Sequence, residues 1–173
     1  MRGVVWITGL SGAGKTTLAA RLVRALREDG VWTVHVDGDR MREVFGNDLG
    51  HSPSDRRANA WRIARTCAFL AEEGALVVCS TVSMFGEIWT WNRKNIAPYL
   101  EVVLDVPFEV LRARDQRGLY SGGEVNVAGV DLEVAWPRDA HLVLKSTSEA
   151  DLVSNIEVLR RRTLAMIDMR RSA

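Results

Sequence analysis

"WITGLSGAGKTTLAARLVRAL", residues Trp6 to Leu26, sets a glycine-rich turn between two segments of different periodicity. Val4 to Thr8 is an apolar, β-rich run suited to a buried strand, whereas after the turn Leu18, Leu22, Val23 and Leu26 recur at helical spacing. Between them Gly9, four further residues, Gly14, Lys15 and Thr16 satisfy the Gly-x-x-x-x-Gly-Lys-Ser/Thr pattern. In that pattern backbone N–H groups and a helix N-terminus surround phosphate oxygens. A glycine turn with an incidental lysine would not require strand, loop and helix in this order; a phosphate cradle does. Gly9, Ser11, Gly12, Ala13, Gly14, Lys15, Thr16 and Thr17 are therefore expected to hold the phosphates of ATP as donor. Lys15 would reach the β- and γ-phosphates and the Thr16 hydroxyl would ligate Mg²⁺.

The 173 residues fit a single domain, 1–173, large enough to bury a core. Hydrophobic content of 47% and charged content of 26% are those of an ordinary globular chain. A net charge of +1 provides no strongly basic surface, so nucleic acid and membrane are not expected as partners. The glycine loop stands where a signal peptide would be and no apolar run approaches membrane-spanning length, which gives a cytoplasmic expectation. Cys67 and Cys79 match no metal or redox spacing and read as core residues. The arginines Arg160, Arg161, Arg162, Arg170 and Arg171 read as a solvated helix face.

Helical and strand-like segments alternate along the rest of the chain. Strands are expected at Val31–Val36, Ala75–Cys79, Leu100–Asp105 and His141–Lys145. Helices are expected at Ser54–Glu73, Glu87–Ile96, Pro107–Asp115 and Ser148–Arg170, with Gly30 closing the first helix. That alternation predicts an α/β fold of three layers, with a five-stranded parallel sheet and ligands at the strands' carboxyl ends, and the glycine loop after the first strand makes it one of the P-loop kind. The glycine-rich, weakly periodic segment 118–137 is long for a connection and reads as a lid.

On the acceptor side, "VDGDRMR" (Val36 to Arg42) puts Asp37 and Asp39 where the second strand emerges beside the phosphates. One carboxylate there suits a general base for an attacking hydroxyl and the other a Mg²⁺ or water-shell ligand; alternatively Asp39 caps the next short helix. "SPSDRRANAWRIA" opens with a helix-start signature at Ser52 to Ser54 and sets Arg56, Asn59 and Arg62 on one helix face. Arginines beside a phosphate site suit an anionic substrate, although an exposed charged face has the same pattern. His35 and His141 read as strand residues. The tryptophans read as core or rim.

Taken together, "GLSGAGKTTLA", "VDGDRMREVFGNDLGHSPSDRRANAWRIA", "LDVPFEVLRARDQRGLY" and "VAGVD" resemble the adenylylsulfate (APS) kinase family over most of residues 3 to 145. The resemblance implies a nucleotide kinase-like fold of the P-loop NTPase class, and transfer of the γ-phosphate of ATP to the ribose 3′-hydroxyl of a small-molecule nucleotide, adenylylsulfate or a close analogue. It implies Asp37 near that hydroxyl, and Arg42, Arg56 and Asn59 on the substrate's 5′-linked anionic group. Asp39, His51, Val127 and Asp131 fall with them on the acceptor side. Arg114 matches the arginine that lies against the ATP adenine, Ser83 falls near a serine that the family can carry phosphorylated, and Trp89 and Trp91 fall where the family's substrate pocket opens. Members of the family often form dimers, so a homodimer is the expected assembly.

Departures from the pattern concentrate on the acceptor base. Where the family sandwiches adenine between two phenylalanines, this chain has His51 in "DLGH" and Val127 in "NVAGVD". Base stacking on an aromatic ring is worth about 1–3 kcal/mol, so the purine clamp is weakened. The lid is shortened and lacks the family's paired lysines, and "Ile-Ser-Pro" becomes "VSMF" (Val82 to Phe85). "WNRKN" (Trp91 to Asn95) with "DQRGLYSG" resembles a branch of the family that includes cytidine diphosphoramidate kinase, whose acceptor base is a pyrimidine. Three other readings remain: a P-loop regulatory NTPase, a degenerate binding protein, and a gluconate or shikimate kinase-like enzyme. No Asn-Lys-x-Asp segment supports a guanine switch, retention of Lys15, Thr16 and Asp37 argues against degeneracy, and "DGD" with "DRRAN" points to a nucleotide acceptor.

Overall fold

A computed structural model of the protein describes residues 1–114 and 134–168. Five strands, β1 (Gly3–Thr8), β2 (Thr33–Asp37), β3 (Leu76–Ser80), β4 (Tyr99–Asp105) and β5 (Leu142–Lys145), form one sheet in the order β2-β3-β1-β4-β5. Every neighbouring pair is parallel. Central β1 is buried along its whole length, which its continuous apolar run requires of a strand covered on both faces. The α/β P-loop architecture expected from the alternation is the one found.

The helices are α1 (Lys15–Glu28), α2 (Gly38–Val44), α3 (Pro53–Glu72), α4 (Gly86–Asn95), α5 (Phe108–Arg114) and α6 (Glu149–Asp168). Adjacent residues at the end of β3 show how they divide between the faces. Cys79 meets Cys67 of α3, whereas Ser80 bonds to Asp37, which also receives a bond from Thr16 of α1. Leu18, Leu22 and Leu26 give α1 one fully buried stripe, each side chain contributing about 1.5–3 kcal/mol of apolar burial. The two cysteines are buried, as expected of core residues.

Element boundaries fall within two residues of the expected ones, and the shifts have local reasons. β2 begins at Thr33 rather than Val31 because the Val31 N–H still closes the end of α1 on Leu26 O. α1 begins at Lys15 because Gly14, at φ 91°, takes the left-handed conformation that turns the loop into the helix. Gly9 allows a different approach: a Cβ there would stand 2.6 Å from Leu104 O, so only glycine lets the loop cross the end of β4. α3 starts on Ser52, whose Oγ accepts from Asp55 N and donates to the Asp55 carboxylate, with Pro53 in the first turn.

β1 and β3 lie side by side in the sheet, and the connections that follow them run in opposite directions, to β2 and to β4. A crevice opens there outside the carboxyl ends of the strands, where ligands of open parallel sheets bind. The phosphate loop, Asp37 and Ser80 all stand at that edge. Among the described residues no helix is long and apolar enough to cross a membrane.

Candidate active site

A cavity of ≈ 340 Å³ lies above this edge. The phosphate loop and the start of α1 supply one wall through Ser11, Gly12, Gly14, Lys15, Thr16 and Thr17. The other wall comes from Arg42, His51, Arg56 and Asn59, and Asp37, Asp39 and Ser80 lie between them. Gly9 and Ala13 serve the loop's shape and do not line the cavity: Gly9 sits against Leu104, and Ala13 is buried.

Lys15 is buried, and its Nζ donates to Leu10 O at 2.7 Å across the loop. Burial pulls its pKa down to about 8 against the raising influence of Asp39 and Asp37. The site therefore holds a cation at a desolvation cost that a bound phosphate would offset.

Asp37 has both oxygens engaged. Oδ1 accepts from the backbone N–H groups of Asp39 and Arg40, and Oδ2 accepts from the hydroxyls of Thr16 and Ser80, each at 2.8 Å. Burial raises the carboxyl's pKa, but the bonds from Ser80, Thr16, Arg40 and Asp39 outweigh it and hold the group below its ordinary value. The cap of α2 is thus Asp37 and not Asp39, correcting the alternative expectation. Asp37 sits on a β-region backbone one residue before the helix, which is the capping position; Asp39 is already in the first turn and lines the cavity instead.

The substrate-side arginines are tied to the loop between α2 and α3. Arg42 Nη1 donates to Leu49 O and Gly50 O, and Arg56 Nε donates to His51 O. Both residues line the cavity. Asn59 is buried beside them, and its Oδ1 has no hydrogen-bond partner among the described residues. Arg62 separates from this group: it pairs bidentately with Asp48 and lies over the Phe45 ring, so it fastens the loop from outside. Arg114 stands in a second cleft of ≈ 270 Å³ with Gly12, Gly14, Thr17 and Ser146, donating to Ser146 O and Gly12 O. Val127, Asp131 and residues 118–133 of the expected lid lie outside the described residues.

Several cavity residues were not anticipated from the sequence. Ser80, Thr81, Met84 and Phe85 form the wall that follows β3, together with Pro53 and Val134. The signal available for Ser80 and Thr81 was two hydroxyl residues directly after an apolar strand in a parallel-sheet protein. Ser83 is buried, with its Oγ 2.7 Å from Thr81 Oγ1. Trp89 and Trp91 are absent from the wall: Trp89 is buried, and Trp91 packs edge-on against Trp61 between α4 and α3. The "WNRKN" segment braces the sheet, through Asn92 donating to Tyr99 Oη and a bidentate Arg93 bond to fully buried Glu101.

The sequence profile described as adenylylsulphate kinase matches residues 1–145. Over 163 residues the chain is 36% identical to cytidine diphosphoramidate kinase of Campylobacter jejuni, covering 90% of this chain and 93% of that protein. It is 37% identical over 152 residues to adenylyl-sulfate kinase of Pseudomonas aeruginosa, covering 84% and 78%. Among solved structures, the Mycobacterium tuberculosis APS kinase in complex with AMPPNP and APS is similar at a TM-score of 0.82. That pair shares 31% identity and covers 96% of this chain and 98% of the other.

Proposed function

The chain belongs to the adenylylsulphate kinase family, phosphotransferases with an alcohol group as acceptor, and from that premise we propose that it transfers the γ-phosphate of ATP to a ribose 3′-hydroxyl. The acceptor is a nucleotide whose 5′-phosphate carries a second anionic group, adenylylsulfate or a close analogue. The observation that carries this reading is the composition of one cavity. Lys15 and Thr16 stand on its donor side, Arg42, Arg56 and Asn59 on its acceptor side, and Asp37 between them.

Asp37 is held anionic by four donors, so it acts by orienting the acceptor hydroxyl rather than by fully removing its proton before attack. A loose phosphoryl-transfer transition state asks little of a base and much of positioning. Lys15 and the arginines hold negative charge on the transferring group and on the acceptor. Thr16 fits a Mg²⁺ ligand: its hydroxyl proton is committed to Asp37, which leaves oxygen lone pairs for a cation. Among the described residues no group of three or more His, Cys, Asp or Glu side chains assembles, so the ion would rest on Thr16 and phosphate oxygens. When bound, Mg²⁺ neutralises charge on the β- and γ-phosphates. Arg114 lies where the ATP base would leave the loop. The chain works as a single domain, and a homodimer is its assembly.

A second reading concerns the base. His51 occupies the cavity wall where the family's phenylalanine would stand, and a relative of almost the same length is a cytidine diphosphoramidate kinase. A cytidine-linked acceptor presents a smaller ring that needs less stacking surface. The test of the 3′ assignment is turnover on acceptors lacking one ribose hydroxyl. The 2′-deoxy form should be phosphorylated and the 3′-deoxy form should not; equal turnover of both would overturn it.

A further inference from the structure

His35 is half-buried on β2, two residues before Asp37 and therefore on the same face of the sheet. Its Nε2 lies 3.0 Å from Ser80 Oγ, and Ser80 stands directly opposite Asp37 in the β2–β3 register. The direction of each proton in this chain is fixed by counting donors. A carboxylate only accepts, so the Ser80 hydroxyl spends its single proton on Asp37 Oδ2. Ser80 Oγ then has only lone pairs to offer His35. The ring nitrogen that meets it must carry a proton.

From this geometry we infer that His35 is a positioning residue for Asp37: its Nε2–H donates to Ser80 and locks the serine hydroxyl onto the carboxylate that orients the acceptor. The inference rests on the reading of Asp37 given above. It explains a polar side chain in a strand whose neighbours Val34 and Val36 are apolar. Without the imidazole donor, the Ser80 hydroxyl is free to turn toward another acceptor, and Asp37 Oδ2 keeps only the Thr16 bond. Misplacement of a reacting group by a fraction of an ångström is sufficient to slow a positioned transfer.

Two measurements test it. In ¹⁵N spectra at about pH 8, above the ordinary imidazole range, the Nε2 of His35 should show the shift of a protonated ring nitrogen and Nδ1 that of an unprotonated one. The opposite tautomer would overturn the inference, and this readout does not depend on any acceptor. Kinetically, His35→Leu should lower kcat about ten-fold with the ATP KM and the folded spectrum unchanged, and His35→Gln, whose amide places a donor near the same point, should recover most of the loss. Equal kcat in parent and His35→Leu, or equal losses in both variants, would also overturn it. A parent enzyme with no acceptor-dependent turnover would instead refute the proposed function and leave the tautomer measurement to decide the role of His35.

Discussion

Thr16 Oγ1 donates to Asp37 Oδ2 at 2.8 Å, joining the first residue after the motif lysine to the carboxylate at the end of β2. That bond links the donor and acceptor halves of the cavity. It leaves the Thr16 oxygen with lone pairs for a cation and leaves Asp37 anionic. Asp37→Asn would place an amide against two hydroxyl donors while keeping the shape of the site. ATP affinity, measured by calorimetry, should change little, whereas phosphoryl transfer should fall by about 10²–10⁴-fold. Undiminished turnover in this variant would remove Asp37 from the account.

The same bonds set the acid side of the pH profile. The folded carboxyl titrates below its ordinary value, so the active, deprotonated form persists as pH falls and is lost only below 3.8. The stability these bonds contribute follows the same sign: it is complete above the unfolded pKa and disappears as pH drops through the folded one. Between about pH 5 and 7 the kcat profile should carry no limb from this group. An apparent pKa near 6 that disappears in Asp37→Asn would contradict the assignment.

Lys15 predicts opposite effects on activity and stability. Its folded pKa of about 8 lies below the ordinary 10.5, so between those values the unfolded chain binds more protons and folding stability rises with pH. Below about 8 the folded protein bears the full cost of a buried cation. Lys15→Met removes the charge at similar volume. The free protein should gain on the order of 1–3 kcal/mol at neutral pH while phosphoryl transfer is almost completely lost. Denaturant melts paired with a kinase assay check both, and a destabilised but active variant would contradict the site.

Arg93 carries a structural prediction. Glu101 is fully buried on β4, and Arg93 of α4 supplies its bidentate partner. Arg93→Leu would leave an uncompensated carboxylate in the core and should cost about 3–5 kcal/mol. The effect on KM for either substrate should be small because neither residue lines the cavity. A large KM change without loss of stability would move this pair into the active site.

The sequence made the sheet and the donor loop readable for a definite reason. β1 and β3 are covered on both faces and their apolar runs are continuous, and the loop motif is a short local pattern whose function depends on its own backbone. Arg56 and Asn59 were likewise legible because helical spacing put them on one face. Arg62 shares that spacing but pairs with Asp48 from a different segment, and periodicity carries no information about such a partner. Trp91 stands outside the cavity for a related reason: its contact is Trp61, which belongs to an earlier helix and reaches it only through the packing of α4 on α3. His35 looked like an ordinary strand residue until the β2–β3 register set Ser80 opposite Asp37.

The most direct test of the central claim is ADP release from ATP and Mg²⁺, measured without acceptor, with adenylylsulfate, and with cytidine diphosphoramidate at matched concentrations. The account predicts release that depends on one of these nucleotides, with the product carrying a new 3′-phosphomonoester. Preference for adenylylsulfate would show that His51 still supports a purine, and preference for the cytidine compound would make the altered clamp a specificity change. ADP release that neither nucleotide stimulates would contradict the assignment of a nucleotide 3′-kinase.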